Sequence, residues 1–180
     1  SRGLGDVYKR QHVYDVAMEV NEQKNVVIVG RSVEGGKTRS ESVINGLKAL
    51  DSDTDRVVIM EAARPLVTTT QVRQLVNDKA DSSSFVMPLV NTPIGKDGTY
   101  YDRSSLYDLL VPQAFDYKKL LAAYKTNKYI DMTDETRIMF EEYGIKPHLI
   151  ETGQNLFKVT YPRDVAVLES IYQTLKGEIK

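Results

Sequence analysis

Three stretches of the chain combine residue types able to handle phosphate. The first is Gly35-Gly36-Lys37-Thr38-Arg39-Ser40-Glu41-Ser42, a glycine turn running into a helix start. Free backbone N–H groups at a helix N-terminus, with a hydroxyl and a cation beside them, suit a nucleotide. The plainer reading is a glycine loop closed by a capping box of Thr38 and Glu41, and glycine before a helix is by itself weak evidence for a ligand. The second stretch is Glu61-Ala62-Ala63-Arg64-Pro65. A carboxylate at a strand end, with an arginine three residues on and small residues between, can hold a divalent cation and a phosphate side by side. Its plainer reading is a structural Glu61–Arg64 ion pair. The third is split along the chain: Asn155, Lys158 and Thr160 follow or line a short strand, and Thr133-Asp134-Glu135 begins a helix. Lys158 would neutralise a phosphate and Thr133 would hydrogen-bond one if the fold joins them. Otherwise they are a solvated lysine and an N-cap threonine. Tyr100, Tyr101 and Tyr107 read as packing rather than stacking residues, and His12 and His148 have no partners at metal or triad spacing.

The scaffold that must position these residues alternates short β-branched runs with helical patterns, the signature of an α/β layer with a largely parallel sheet. NVVIVG at 25–30 and RVVIM at 56–60 read as buried strands. Between them Val43, Ile44, Leu47 and Leu50 form an apolar helical stripe. Thr68 and Gln71 have capping-box spacing ahead of Val72, Leu75 and Val76, and SSFVMPLV is a strand ending near Pro88. Residues 88–105 carry turn formers from Gly95 to Gly98 with too little apolar alternation for a core of their own, which predicts an arm lying over the body or reaching another subunit. Asp116 caps a helix to about Thr126, TDETRIMFEEYG is a helix stopped by Gly144, and HLIET and NLFKV are short strands. Thr160 and Pro162 open a last helix bearing Val165, Leu168, Ile171, Tyr172 and Leu175.

Composition narrows the classes. With 180 residues and 41% hydrophobic content the chain suits one core. Lys+Arg number 24 against 25 Asp+Glu, so there is no polyanion footprint, and no nucleic-acid partner is expected. The absence of cysteine removes disulfides, thiolate metal sites and cysteine nucleophiles, and fits a reducing cytoplasm. No apolar run reaches transmembrane length, so no membrane partner is expected either. The opening SRGLGDVYKRQ has no methionine and no periodicity, and DVYKRQ resembles tails found where reading frames are broken in fragmentary assemblies. Residues 1–11 are therefore expected to be a non-native tail ahead of a domain at 12–180, and the chain to be the back portion of a longer protein.

As a set, GGKTRSESVINGLKAL, EAARPLV, the PLVNT to PQAF region, MTDE and NLFKVTYPRDVAVLE resemble, in order and spacing, the methylerythritol phosphate cytidylyltransferase family, which includes ribitol phosphate cytidylyltransferases. The resemblance covers about residues 24–175. It implies a Rossmann-like, glycosyltransferase A-like nucleotidyltransferase: a three-layer α/β sandwich with a mostly parallel sheet and a protruding β-arm, here without its first βαβ portion. It implies transfer of CMP from CTP to a sugar-alcohol phosphate with release of pyrophosphate, with Mg²⁺, in a homodimer whose arm from one subunit completes the other's site. By the same resemblance Gly35, Gly36, Arg39 and Ser42 lie on the nucleotide side. Glu61 replaces an aspartate near the metal and the nucleotide, and Arg64 is the arginine of a DAARP-like motif. Thr92, Arg103, Thr133 and Lys158 fall where the acceptor is bound, with Glu61, Arg64 and Lys158 the catalytic set.

The resemblance also implies departures. The family's opening glycine-rich loop, with the arginine and lysine that grip the triphosphate, precedes residue 1, so the 180-residue chain is expected to turn over poorly. Glu61 moves the carboxylate by about one C–C bond. Val111 stands in LVPQAF where the family commonly has threonine, which leaves ribitol phosphate or another polyol phosphate as an alternative acceptor. A third alternative is an inactive fragment that contributes only a dimer surface.

Overall fold

The computed structural model describes residues 4–20, 25–153 and 156–175. Its elements are α1 (Leu4–Val20), α2 (Arg39–Lys48), β1 (Arg56–Ile59), α3 (Thr69–Asn77), β2 (Ser82–Pro88), β3 (Tyr107–Asp116), α4 (Tyr117–Lys125), α5 (Glu135–Tyr143), β4 (His148–Glu151) and α6 (Asp164–Leu175). Residues 4–11, read from the sequence as an unpatterned stretch, are helical and belong to α1. No helix among the described residues is long and apolar enough to cross a membrane.

Alternation along the strands divides their side chains between two helix layers. Val58, Phe85, Leu110, Ala114 and Ile150 pack with Val13 and Val16 of α1 and Val72 and Leu75 of α3. Val57, Ile59 and Phe115 turn the other way, onto Leu47 of α2, Leu120 and Tyr124 of α4, and Ile138 and Met139 of α5. The result is the expected three-layer α/β sandwich. Strand order is β1-β3-β2-β4. β2 and β4 are parallel, and β3 is antiparallel to both β1 and β2. Strands β1, β2 and β4 therefore share one direction, and the reversed β3 makes the two antiparallel ladders.

The sequence patterns for α2, α3, α4 and α5 hold. Thr38 with Glu41 and Thr68 with Gln71 form complete capping boxes. Asp116 caps α4 by accepting from Lys119 N at 2.8 Å. Gly144, at φ 68°, ends α5 in the left-handed conformation that glycine adopts at no steric cost. Several expectations fail. Residues 26–30 form no strand: the described residues include no neighbouring ladder for them, and Val29 makes only an isolated bridge to Val33. Residues 156–159 are likewise not a strand. Leu156 is buried and Val159 N donates to Ala63 O at 2.8 Å, a single tie rather than a ladder. Asn155 lies outside the described residues. The last helix starts at Asp164, whose carboxylate accepts from Thr160 N and Tyr161 N at 2.8 and 2.7 Å. Val165 and Tyr172 of that helix are exposed, leaving Leu168 as its buried anchor.

Strand β3 was not foreseen, because Pro112 interrupts its pattern. Proline cannot donate to a ladder, and here it falls in an irregularity: Ser84 pairs with Gln113 and Phe85 with Leu110, so Val111 and Pro112 are passed over. Beside it, Ser82, Ser83 and Ser84 of β2 are fully buried. The Ser83 hydroxyl donates to Asp78 at 3.0 Å and that of Ser84 to Leu110 O at 2.8 Å, whereas the Ser82 hydroxyl has no partner among the described residues. A buried unpaired hydroxyl costs free energy, so Ser82→Ala is expected to stabilise the protein by about 1 kcal/mol. A denaturation midpoint that falls instead would show that this oxygen is bonded.

The arm leaves at Pro88 and returns at Tyr107, and these two residues pair. Its tip is a tight turn in which Gly95 N donates to Thr99 O at 2.8 Å and Gly98, at φ 87°, donates to Gly95 O at 2.9 Å. Ile94 and Tyr100 bridge across it. Val90 (77% exposed), Tyr100 (75%), Tyr101 and Tyr107 present apolar surface to solvent, so the tyrosines are not packing residues within this chain.

Candidate active site

Strand β1 delivers Glu61 to the carboxyl end of the sheet, the edge where α/β proteins gather ligands. Arg64 Nε lies 3.2 Å from Glu61 Oε2, so the simple ion pair read from the sequence is present. Arg64 does more than this: its Nη1 donates to Leu156 O at 2.6 Å, fastening the stretch that carries Lys158. Lys158 Nζ then stands 3.2 Å from both Glu61 oxygens. Two segments about a hundred residues apart in the chain thus supply one carboxylate and two cations. Arg64 is mostly buried and committed, while Lys158 is 44% exposed and is the cation that an arriving anion can reach.

The glycine turn is built from within. Gly36 N donates to Ser42 Oγ at 3.0 Å, and that hydroxyl donates to Thr38 O at 3.0 Å. Lys37 N donates to Glu41 at 2.5 Å. Ser42 therefore shapes the turn with both of its hydrogen-bonding capacities. Gly36 is required by close approach, since a Cβ there would meet Glu41 Cβ at 2.1 Å, whereas one on Gly35 would have only ordinary contacts at 3.8 and 3.9 Å. Gly36→Ala should consequently destabilise the protein by about 1–3 kcal/mol through overpacking, and Gly35→Ala by less than about 1 kcal/mol. Equal midpoints for the two variants would contradict this geometry.

Arg39, the first residue of α2, makes a bidentate ion pair with fully buried Glu135: Nη1 to Oε1 at 2.6 Å and Nη2 to Oε2 at 2.8 Å. The Glu135 hydrogen bond, followed by its charge and by those of Tyr124 and Glu61, holds the guanidinium pKa above its ordinary value against the opposing effect of burial. Tyr124 OH donates to Glu135 Oε1 at 2.8 Å, and burial followed by the Glu135 charge pushes that phenol far up, so it stays a donor.

Thr133 is exposed immediately before α5, but the cap is Asp134, whose carboxylate accepts from Thr136 N at 2.9 Å and Arg137 N at 3.2 Å. Asp134 also accepts from buried Gln113 of β3 at 3.0 Å. Thr133 is thereby left free of capping duty. Thr92 and Arg103 are on the arm, where Arg103 donates to Val90 O at 2.6 Å, and among the described residues no hydrogen bond joins them to Glu61, Lys158 or Thr133. The structure thus forms two groups: Glu61, Arg64 and Lys158 beyond the end of β1, and the turn of Gly35, Gly36 and Ser42 at the start of α2, which the Arg39–Glu135 and Ser40–Met132 bonds tie to the segment carrying Thr133. Glu135, Tyr124, Ser40 and Gln113 were not anticipated. Glu135 stands next to a foreseen helix start, but nothing in its own pattern announces a partner 96 positions away.

A family model for IspD, 2-C-methyl-D-erythritol 4-phosphate cytidylyltransferase, matches residues 7–174. A 2-C-methyl-D-erythritol 4-phosphate cytidylyltransferase of Clostridium botulinum is 31% identical over 172 residues, covering 89% of this chain and 74% of that protein. One from Nitrosomonas eutropha is 35% identical over 150 residues, covering 76% of this chain and 64% of the relative. Among solved structures, the Thermus thermophilus 2-C-methyl-D-erythritol 4-phosphate cytidylyltransferase superposes with a TM-score of 0.68 at 25% identity, over 77% of this chain and 71% of that one. The 4-diphosphocytidyl-2C-methyl-D-erythritol synthase of Anaerococcus prevotii gives a TM-score of 0.72 at 24% identity, over 89% of this chain and 74% of that one, a likeness of fold. With the family model spanning nearly all of its length, the chain belongs to the 2-C-methyl-D-erythritol 4-phosphate cytidylyltransferase family.

Proposed function

We propose that this site transfers the cytidylyl group of CTP to 2-C-methyl-D-erythritol 4-phosphate. An oxygen of the acceptor phosphate attacks the α-phosphorus in line. The bond from that phosphorus to the bridging oxygen breaks, and pyrophosphate leaves with the electron pair. Such a reaction asks the protein mainly to position two anions and to neutralise charge. The observation that carries the reading is Lys158, held 3.2 Å from both Glu61 oxygens by a segment that Arg64 anchors.

Lys158 draws the acceptor phosphate to the strand end, and Thr133 donates a hydroxyl to it. Arg64 keeps Lys158 in place. The Gly35–Gly36 turn and the start of α2 receive the nucleotide, with Ser42 setting the turn's shape. Glu61 fits a Mg²⁺ ion of the kind held by one carboxylate and substrate phosphates, since its oxygens lie at the ligand edge and its exposed partner Lys158 is a cation that phosphate groups would draw away. When bound, that ion neutralises charge on the phosphates of CTP. The arm, with its exposed Val90, Tyr100 and Tyr101, reaches a second copy and delivers Thr92 and Arg103 to that copy's acceptor. The cysteine-free, nearly neutral composition suits a cytoplasmic enzyme that works without nucleic acid or membrane.

The test is pyrophosphate release with CTP and Mg²⁺, comparing 2-C-methyl-D-erythritol 4-phosphate with ribitol 5-phosphate. It is run on the chain itself and on the chain joined to the leading segment of the Clostridium botulinum relative. Release with the first acceptor is expected. Release only with ribitol 5-phosphate would overturn the acceptor and make Val111 the first residue to exchange for threonine.

A further inference from the structure

Helices α2 and α5 meet start to start, and a buried carboxylate lies between them. Each helix N-terminus carries a partial positive charge, so an anion at that junction favours their approach. Glu135 provides it, accepting two hydrogen bonds from Arg39 at 2.6 and 2.8 Å and one from Tyr124 of α4 at 2.8 Å. A second link runs alongside: Ser40 Oγ donates to Met132 O at 2.7 Å. The residues around Thr133 are therefore all tied down, Met132 and Glu135 to α2 and Asp134 to β3 through Gln113. The same first turn of α2 also shapes the glycine turn through Thr38, Glu41 and Ser42. A displacement of α2's start by a bound nucleotide therefore moves the segment that presents Thr133.

Resting on the cytidylyl-transfer reading above, we propose that the Arg39–Glu135–Tyr124 clamp and the Ser40–Met132 bond are positioning elements that couple the nucleotide turn to Thr133, so that CTP and the acceptor phosphate each tighten the binding of the other. Such coupling is reciprocal: the factor by which CTP raises acceptor affinity equals the factor by which the acceptor raises CTP affinity.

The experiment is calorimetric titration of CTP with and without 2-C-methyl-D-erythritol 4-phosphate, and the reverse, in Ca²⁺ so that turnover does not intervene. The unaltered chain is compared with Y124F, S40A and R39K. A coupling factor of about five or more is expected in the unaltered chain. It should fall toward one in Y124F and S40A, two mild changes, while each ligand's separate affinity stays within about twofold. R39K, which keeps the charge and loses the fork, should lose the coupling as well, and its separate CTP affinity is no control because Arg39 stands on the nucleotide side. Binding of both ligands without coupling, or coupling unchanged in Y124F and S40A, would overturn this inference and leave the transfer reading standing. Failure to bind either ligand, by the unaltered chain and by the chain joined to the leading segment of the Clostridium botulinum relative alike, would overturn both.

Discussion

Replacing Arg39 by alanine is expected to destabilise the fold by about 3–5 kcal/mol, the largest loss among the residues of the site. The asymmetry of the pair sets this size. The Glu135 side chain is fully buried while that of Arg39 is 32% exposed. Removing the arginine leaves a carboxylate in the interior that, among the described side chains, keeps the Tyr124 hydroxyl as its hydrogen-bond donor. Removing Glu135 instead leaves a guanidinium that can turn to water, so Glu135→Ala should cost visibly less. The double variant should recover part of the loss of Arg39→Ala, because no charge is then stranded. Urea denaturation of the three variants checks this. An Arg39→Ala loss below about 1 kcal/mol would mean that the pair behaves as an exposed one.

Lys158→Ala should act in the opposite way, with little effect on stability and a large effect on turnover. Its partner Glu61 keeps Arg64, and the Lys158–Glu61 contact is partly solvated, so its loss is worth no more than about 1 kcal/mol. Under the proposed transfer the ammonium would face charge that builds on the phosphates as the new bond forms. Loss of one such group typically lowers turnover by about 10²–10³-fold. Steady-state kinetics with CTP and the acceptor would show kcat and kcat/KM falling together if the ammonium acts in the transition state, and KM alone rising if it only binds. Unchanged kinetics in a folded variant would remove Lys158 from the mechanism.

What could be read in the sequence follows from how locally each feature is determined. The capping boxes of α2 and α3, the Asp116 cap and the Gly144 stop depend on residues within a few positions of one another, and all four stand. The arm's turn at Gly95–Gly98 is local in the same sense. Features that need a distant partner were missed or misplaced. Residues 26–30 have strand composition without a ladder, and β3 has a ladder with a proline inside it. At Thr133-Asp134 two cap formers compete, and the aspartate wins because one carboxylate serves Thr136 N, Arg137 N and Gln113 together. Glu61 with Arg64 was legible as a pair. Its union with Lys158 follows from the resemblance and from the folded chain, since no spacing rule links residues 97 positions apart.

Because Pro88 and Tyr107 already pair at the root of the arm, residues 89–106 are an insertion whose two ends meet in the sheet's own register. Loop-closure entropy grows only slowly with length, so such an insertion can be lengthened, shortened or exchanged at small cost to the body that carries it. The arm can thus diverge at its own pace, and a lineage can change what its tip touches without rebuilding the strands beneath.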